Sequence, residues 1–256
     1  MLAVKRVFGG YINRTWALVG LAAISILAWY FLFRVADLGY GDRGVENWIE
    51  APASLAKFPM YFLMWSIMMV AMMLPSALVM VRSFSKVCRC KTGTYNCSLL
   101  TLLFALGYVL IWVAFSFVAA ILQWMLQFAF LLSPLMDLTS VLFGSIVFLV
   151  AGIYQWTPLK QTCLNSCRSP MSFLVLHWEK GPKGAMHMGF KHGMYCVGCC
   201  WLLMMLMFVG GVMGFYWMVG IAIYVLLEKI VPGGELFSRM GGVAMGLAGI
   251  YWLAKI

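Results

Sequence analysis

Apolar residues in this chain occur in long, nearly uninterrupted runs separated by short polar connections. An α-helix needs about 20 apolar residues to cross the hydrocarbon of a bilayer, where every backbone polar group must be paired within the chain. The pattern therefore predicts an all-α fold, a polytopic transmembrane helix bundle of about seven spans that forms one domain over residues 1–256. The predicted spans cover approximately residues 16–33, 59–81, 98–128, 138–156, 185–209, 212–230 and 236–253.

Two of these assignments depend on local signals. The stretch from Ala185 to Glu228 is too long for one crossing, and the glycines between residues 210 and 214 offer a turn that divides it. The first run, Trp16 to Phe33, follows basic residues as a signal peptide would. It is long for a signal peptide, however, and no small-x-small cleavage pattern follows it, so we expect a retained anchor.

Composition supports the same class of protein. Apolar residues make up 64% of the chain and charged residues only 10%, which is too little polar material to cover a soluble domain of this length. The low charge also excludes an intrinsically disordered chain. Lipid is the remaining solvent, and the bilayer is the first expected partner.

The formal net charge of +10 is explained by where the charges lie. Basic residues precede the first span and lie in every second connection after it, whereas the alternate connections are acidic. This asymmetry predicts a cytoplasmic N-terminus. It also predicts a multi-pass protein of the cell inner membrane. We therefore do not expect a nucleic-acid partner. The basic residues are Lys5, Arg6, Arg14, Arg82, Lys86, Arg89, Lys91, Lys160, Arg168, Lys180, Lys183, Lys191, Lys229 and Arg239, and the acidic ones are Asp37, Asp42, Glu46, Glu50 and Asp137.

All eight cysteines fall in the cytoplasmic connections or the cytoplasmic half of the fifth span on this topology. Structural disulfides belong to oxidising compartments, so we expect reduced thiols, which suit metal binding or thiol redox chemistry. A cysteine can also be merely a small buried apolar residue. For Cys88, Cys90 and Cys97 the sequence leaves the metal and packing interpretations equally open.

The fifth span carries the strongest candidate site. At 100° per residue, an arc of roughly 120° on this helix holds imidazole, thiol and thioether groups. These residues are Met188, His192, Cys196, Cys199, Cys200 and Met207, while His187 points away. The rise from His192 to Cys200 is about 12 Å, so the face would be a ladder of ligands or two neighbouring sites. Reactive groups at membrane depth usually face the protein interior.

Three further segments add candidate ligands. The fourth span should end near Pro158, and Cys163 and Cys167 follow it with i, i+4 spacing. A short helix that folds back under the bundle would bring these two cysteines to the fifth span. In the second span Met68, Met72 and Met73 belong to a methionine stripe beside Pro75, although such a stripe is more often packing. Glu228, beside Lys229, could join the site or form a snorkelling interfacial pair.

The donor types indicate the metal. Thiolate, thioether and imidazole groups together favour Cu(I), with Zn(II) as the second choice. Calcium and magnesium require oxygen ligands, and the carboxylates are too few and too dispersed. The predicted metal ligands are His192, Cys196, Cys199, Cys200, Cys163, Cys167, Met72, Met73, Met68 and Glu228.

Three segments together resemble a bacterial family of predicted metal-binding integral membrane proteins whose function is unassigned. They are residues 64–76 (MWSIMMVAMMLPS), residues 151–170 (AGIYQWTPLKQTCLNSCRSP) and residues 192–201 (HGMYCVGCCW), and the Glu228-Lys229 pair with Pro232 also fits. The resemblance implies that the family has nine of these positions in common: Met72, Met73, Cys163, Cys167, His192, Cys196, Cys199, Cys200 and Glu228. It implies no activity.

Three functions remain open from the sequence. The first is Cu(I) handling, by binding, transfer or delivery, with other membrane subunits or a metallochaperone as partners. The second is a membrane oxidoreductase, either a metal-dependent oxygenase subunit or a thiol–disulfide enzyme that passes electrons to quinone. The third is a structural subunit of a larger membrane complex. The sequence does not decide whether the protein is an enzyme, and it identifies no catalytic residue and no substrate.

Overall fold

The computed structural model describes residues 2–41, 57–91, 96–129, 131, 140–212 and 214–255. Side chains of the first helix are described for residues 18–37. Four of the acidic residues used for the topology prediction, Asp42, Glu46, Glu50 and Asp137, lie outside the described residues, as do the side chains of Lys5, Arg6, Arg14 and Lys91.

Every regular element among these residues is helical, so the predicted all-α class is confirmed. The helices are α1 (Leu2–Gly41), α2 (Phe58–Lys91), α3 (Cys97–Phe128), α4 (Val141–Tyr154), α5 (Pro158–Arg168), α6 (Pro170–Leu176), α7 (Gly181–Met205), α8 (Phe215–Ile230) and α9 (Gly234–Leu253). A short 3₁₀ turn, Leu206–Phe208, extends α7.

Four segments are long and apolar enough to cross a membrane: Leu18–Asp37, Phe58–Cys90, Cys97–Phe128 and Gly181–Phe208. The pair α4 and α5, bent by 66°, passes the same test if it is counted as one broken span. Of the two other predicted spans, α8 has 16 residues, and the first turns of α9 carry Glu235 and Arg239. The described helices thus provide four or five candidate spans.

Helices α2, α3 and α7 form the centre of the bundle. Helix α1 lies against α2, and α4 pairs with α9. Helices α5 and α6 are short; α5 packs on α7, and α6 packs on α2 and α5. Phe173 and Leu174 of α6 belong to the same buried cluster as Phe84, near the end of α2, and Leu100, near the start of α3.

Glycines bring α3 and α7 into backbone contact. A Cβ on Gly189 would overlap the carbonyl of Phe104, and one on Gly107 would overlap the carbonyl of Met186. A Cβ on Gly193, one turn further along α7, would lie 2.8 Å from Ile111 Cβ. Small residues at these positions are what allow two membrane helices to approach so closely. The contact fixes the register between α3 and α7.

A second glycine contact joins α4 to α9. A Cβ on Gly152 of α4 would lie 2.8 Å from the carbonyl oxygen of Gly242, and one on Gly249 would lie 3.0 Å from the carbonyl oxygen of Ser145. Gly242 and Gly249 of α9 thus allow close packing against α4, as small residues commonly do between membrane helices.

The predicted helix breaks are both present. Helix α4 ends at Tyr154, and Pro158 opens α5 with Thr157 as its N-cap, because proline is well suited to the first helical turn. Between α7 and α8 the chain turns at Gly211, whose φ of +86° is readily adopted only by glycine. The division of the 185–228 stretch into two helices is therefore confirmed.

The structure joins Cys88, near the end of α2, to Cys97, at the start of α3, in a disulfide. The expectation that all eight thiols are reduced is wrong for these two. Their separation of nine residues spans the α2–α3 connection, and their Cα atoms lie 5.9 Å apart, within the usual range for a disulfide. Cys90 remains a free, exposed thiol.

We expect Gly189→Ala to destabilise the bundle, because the added methyl group would meet the rigid Phe104 backbone and not a flexible side chain. Overpacking of this kind costs about 1–3 kcal/mol. Gly220→Ala in α8 is the matched control, because no atom of another described helix lies within 4 Å of its Cβ position. Thermal unfolding in detergent should show a lower Tm for the first variant and an unchanged or higher Tm for the second; equal Tm values would contradict the proposed α3–α7 contact.

Candidate metal centre

Three cysteine sulfurs converge where α5 meets α7. The Sγ atoms of Cys167, Cys196 and Cys199 all lie within 4.8 Å of one another. Cys196 and Cys199 are fully buried, and Cys167 is half-buried. Three soft sulfur donors at this separation match the preference of Cu(I) for thiolate ligands.

The ligand face of α7 points into the bundle, as its composition predicts. Met188, Cys199, Cys200 and Met207 are completely buried, and Cys196 and His192 are nearly so. On the opposite face Met194 is 61% exposed. Because the glycines of α7 hold this helix against α3, its thiols are kept inside the protein.

Helix α5 supplies the third sulfur by folding back against α7. The predicted fold-back is confirmed, since Cys167 joins two cysteines of α7 that lie about thirty residues later. Cys163, one turn earlier, packs on Gly198: a Cβ at that position would lie 2.8 Å from the Cys163 Sγ. Because Gly198 has no side chain, α5 can approach α7 closely at this position.

Cys200 lies on the α2 side of the cluster. Its thiol donates to the backbone carbonyl of Cys196 at 2.9 Å. Its Sγ also lies 4.0 Å from the thioether sulfur of Met73. On the α5 side, the Sγ of Cys167 lies within 4.8 Å of those of Cys196 and Cys199. The thiol of Cys200 and the thioether of Met73 therefore flank the group of three thiols on its α2 side.

A polar network fixes the α2 side of this cluster. The Tyr108 hydroxyl lies 3.2 Å from Cys196 Sγ and donates to the carbonyl of Met73 at 3.1 Å. Ser76 also donates to that carbonyl, at 2.9 Å. Two hydroxyls thus converge on one carbonyl, two residues before the proline within α2, Pro75.

Lys229 of α8 completes the network. Its ammonium group donates to Ser76 Oγ and to Cys196 Sγ, both at 3.0 Å. The amine therefore brings one positive charge directly to the central thiol of the cluster. A positive charge at this position compensates the negative charge of thiolate ligands.

The neighbouring residue, Glu228, has a different partner. Its carboxylate oxygens lie 2.8 and 2.9 Å from the amine of Lys160 in α5, and both side chains are completely buried. The structure therefore does not bring Glu228 to the thiols, and the interfacial snorkelling alternative is wrong for it. The ion pair instead ties α5, which carries Cys163 and Cys167, to α8.

The other predicted ligands lie around the cluster. His192 stacks on Tyr108, with ring centroids 5.3 Å apart, and its Nδ1 is buried without a hydrogen-bond partner among the described residues. Met72 lines an apolar cleft of about 340 Å³ between α1, α2 and α8, and Met68 lies in the buried core. The structure thus brings together Cys167, Cys196, Cys199, Cys200 and Met73, with Cys163 and His192 adjacent.

A surface interaction holds the start of α7. Glu179, just before the helix, accepts from His187 at 2.8 Å and from Lys191 at 3.3 Å. The hydrogen bond with His187, followed by that from Lys191, holds the pKa of the Glu179 carboxyl below its usual value. His187 therefore faces away from the thiols, as its position on the helix predicts.

Sequence reasoning missed two residues that contact the cluster, Lys229 and Tyr108. The only signal for Lys229 was a charged pair inside a predicted span, and that signal favoured Glu228 as the ligand. Nothing in the sequence marked Tyr108, because its role depends on the register that the glycines set between α3 and α7. Both residues surround the thiols with polar contacts rather than adding a soft ligand.

Comparison with known proteins adds one finding. A family model described as PpoB2, copper chaperone, matches residues 62–252. The match includes all the thiols of the cluster, Met73, Tyr108 and Lys229. Neither the curated proteins nor the solved structures include a match to the chain.

We expect Glu228→Gln to destabilise the metal-free protein, because it leaves the Lys160 ammonium buried without a counter-charge. Breaking one side of a buried pair costs about 3–5 kcal/mol, whereas replacing both partners by apolar groups is often tolerated. The double variant Lys160→Met/Glu228→Leu should therefore recover much of the stability in thermal unfolding. Glu179→Gln, which removes a partly exposed pair, is the control and should cost less than about 1 kcal/mol. A single variant as stable as this control would contradict the buried pair.

Proposed function

The chain belongs to the PpoB2 copper chaperone family, and we propose on this basis that it carries Cu(I) as its cargo in the Cys167–Cys196–Cys199 triangle. The observation that supports the proposal is the convergence of these three sulfurs within 4.8 Å in a largely buried site. Thiolates select Cu(I) by softness. The protein holds the ion for transfer and performs no reaction on it.

A cation beside the triangle lowers the net charge of the loaded site. Three thiolates and one Cu(I) ion carry a net charge of −2, and the ammonium group of Lys229, 3.0 Å from Cys196 Sγ, reduces it to −1. A buried net charge is costly unless it is compensated. Lys229 is in this proposal the counter-charge of the loaded site and not a ligand.

The entry of the ion is proposed to pass through Cys167. This thiol is the half-buried member of the triangle, whereas Cys196 and Cys199 are fully buried. Cys167 lies in the last turn of the short helix α5, which packs on α7. A soluble metallochaperone or another membrane subunit is the proposed exchange partner, because such a protein can offer a thiol to Cys167.

We further propose that the chain is a multi-pass protein of the cell inner membrane with seven crossings and a cytoplasmic N-terminus. Four helices long and apolar enough to span a bilayer, together with the bent α4–α5 pair, support this location. The placement of the basic residues supports the orientation. The thiol cluster then lies in the cytoplasmic half of the bundle, whereas the Cys88–Cys97 disulfide, a feature typical of oxidising compartments, favours the reverse orientation.

We expect protein purified in detergent, without oxygen or chelator, to contain copper by elemental analysis, and Cys196→Ser/Cys199→Ser to contain none. The double substitution removes two of the three triangle ligands and preserves side-chain size. Cys90→Ser, which removes an exposed thiol outside the cluster, is the control and should retain its copper. Full copper retention in the double variant would reject the site, and zinc in place of copper would reject the proposed cargo.

The role of Lys229 is tested in the same preparation. A unit charge at ~5 Å contributes about 3 kcal/mol at an effective dielectric constant near 20, so Lys229→Met should weaken Cu(I) binding roughly a hundredfold in competition with a chelator. Lys229→Arg keeps the charge and should keep most of the affinity. Equal losses in both variants would show that the side chain acts by its shape and would remove the charge argument.

Orientation is tested by labelling thiols with a membrane-impermeant maleimide. In intact spheroplasts of a bacterial host we expect Cys90 to react only after permeabilisation, because it lies at the proposed cytoplasmic end. Tyr216→Cys in a Cys90→Ser background places a thiol at a 90% exposed position near the opposite end and should react without permeabilisation. The reverse pattern would invert the topology.

A further inference from the structure

Cys167, the half-buried thiol of the triangle, lies at the very end of its helix. It is the next-to-last residue of α5, and the chain leaves the helix at Ser169. The last carbonyl groups of a helix have no partner within it, and helix ends fray. The thiol is therefore placed where a helix is least rigid, and a contact from outside α5 is needed to hold it beside Cys196 and Cys199.

The next residue, Arg168, makes such a contact. Its guanidinium group donates to the backbone carbonyl of Val231, the residue that caps the C-terminal end of α8. The same group lies over Gly234, where a Cβ would be 2.6 Å from Arg168 Nη1. Carbonyls at the C-terminal end of a helix carry partial negative charge, so a cation is favourable there. Arg168 thus joins the end of α5 that carries Cys167 to the end of α8.

A second hydrogen bond supports the same end of α5. Asn165 donates to the carboxylate of Glu235, at the start of α9, at 2.8 Å. This bond is exposed to water, whereas the bond from Arg168 is partly buried. Hydrogen bonds are electrostatically stronger where water is excluded. The contact of Arg168 is therefore expected to be the more important of the two.

The end of α8 reaches the triangle from two sides. The buried carboxylate–ammonium pair holds the first turn of α5 to the last turn of α8, and the bond from Arg168 to Val231 holds the other end of α5 to the same part of α8. Between these two points, Lys229 contacts the triangle at Cys196 Sγ. Because α5 is attached at both ends, Cys167 has one position relative to the thiols of α7.

We propose that Arg168 is a positioning residue for copper binding, which keeps the Cys167 sulfur within reach of the ion by holding the end of α5 to α8. This inference rests on the proposed function, because it assumes that the triangle holds Cu(I). Arg168 itself does not bind the ion. Groups that orient a metal ligand from outside the coordination sphere commonly contribute about 10- to 100-fold to metal affinity.

A purely structural role for Arg168 makes a different prediction. An arginine that only stabilised the fold would act on all three thiols together, so its loss would weaken copper binding whether or not Cys167 was present. A positioning residue acts through Cys167 alone. Its effect on affinity must therefore disappear once the Cys167 thiol has been removed.

The first measurement is the Cu(I) affinity of detergent-purified protein, determined without oxygen by competition with a chromogenic Cu(I) chelator. We expect Arg168→Met, which removes the charge and the donors, to lower the affinity about 10- to 100-fold. Arg168→Lys should lose less, because an ammonium group can still donate to the carbonyl of Val231. Arg82→Met, which replaces an exposed arginine of α2, is the matched control and should bind copper as the unmodified protein does.

The decisive measurement repeats the substitution in a Cys167→Ser background. There Arg168→Met should change the affinity by no more than about twofold, as expected for a substitution without coupling. X-ray absorption of the copper-loaded Arg168→Met protein should show one sulfur ligand fewer than in the unmodified protein. Thermal unfolding of each apo variant identifies impaired folding. If Arg168→Met does not fold, Arg168→Lys replaces it, and its smaller loss must likewise disappear without Cys167.

The outcomes separate this inference from the proposed function. Unchanged affinity in Arg168→Met, or an equal loss with and without Cys167, would overturn the positioning role and leave the copper site standing. Unchanged affinity in Cys167→Ser would remove Cys167 from the site and overturn both the triangle and the role of Arg168. An unmodified protein that binds no Cu(I) would overturn the proposed function itself.

Discussion

The glycine contact between α3 and α7 is the constraint on which the rest of the centre depends. With no side chain between the two backbones at Gly107 and Gly189, α7 has one register relative to α3. That register puts Cys196 beside Tyr108, and Tyr108 in turn reaches the carbonyl of Met73 on α2. Larger side chains at the glycine positions would separate the helices and move the thiols away from both partners.

The charged residues inside the bundle connect α5 and α8 to each other and to the thiols. Among the described residues, Lys160 and Glu228 are completely buried and pair with each other. Lys229 is half-buried and contacts Cys196 and Ser76. The first pair attaches α5 to α8 without touching the cluster, while the second brings a cation to sulfur. Adjacent residues of one helix therefore perform different tasks, one in holding the fold together and one in tuning the site.

The sequence predicted most of what depends on helical periodicity. The buried face of α7, the break before Pro158 and the turn at Gly211 follow from residue spacing and from the conformations that proline and glycine prefer. It did not predict which of Glu228 and Lys229 faces the thiols, because neighbours on a helix point about 100° apart and small rotations exchange them. The disulfide between Cys88 and Cys97 also required the positions of two helix ends.

The uneven burial of the thiols has a kinetic consequence. Cys167 is half-buried at the end of a short helix, and its companions Cys196, Cys199 and Cys200 are enclosed. An acceptor's thiol that reaches Cys167 could bind the ion before the last bond from the ion to an internal sulfur breaks. The ion would then be transferred by associative exchange and would never be hydrated. The rate of transfer would then depend on how well an acceptor fits the surface around Cys167, and a tightly held ion could still leave quickly.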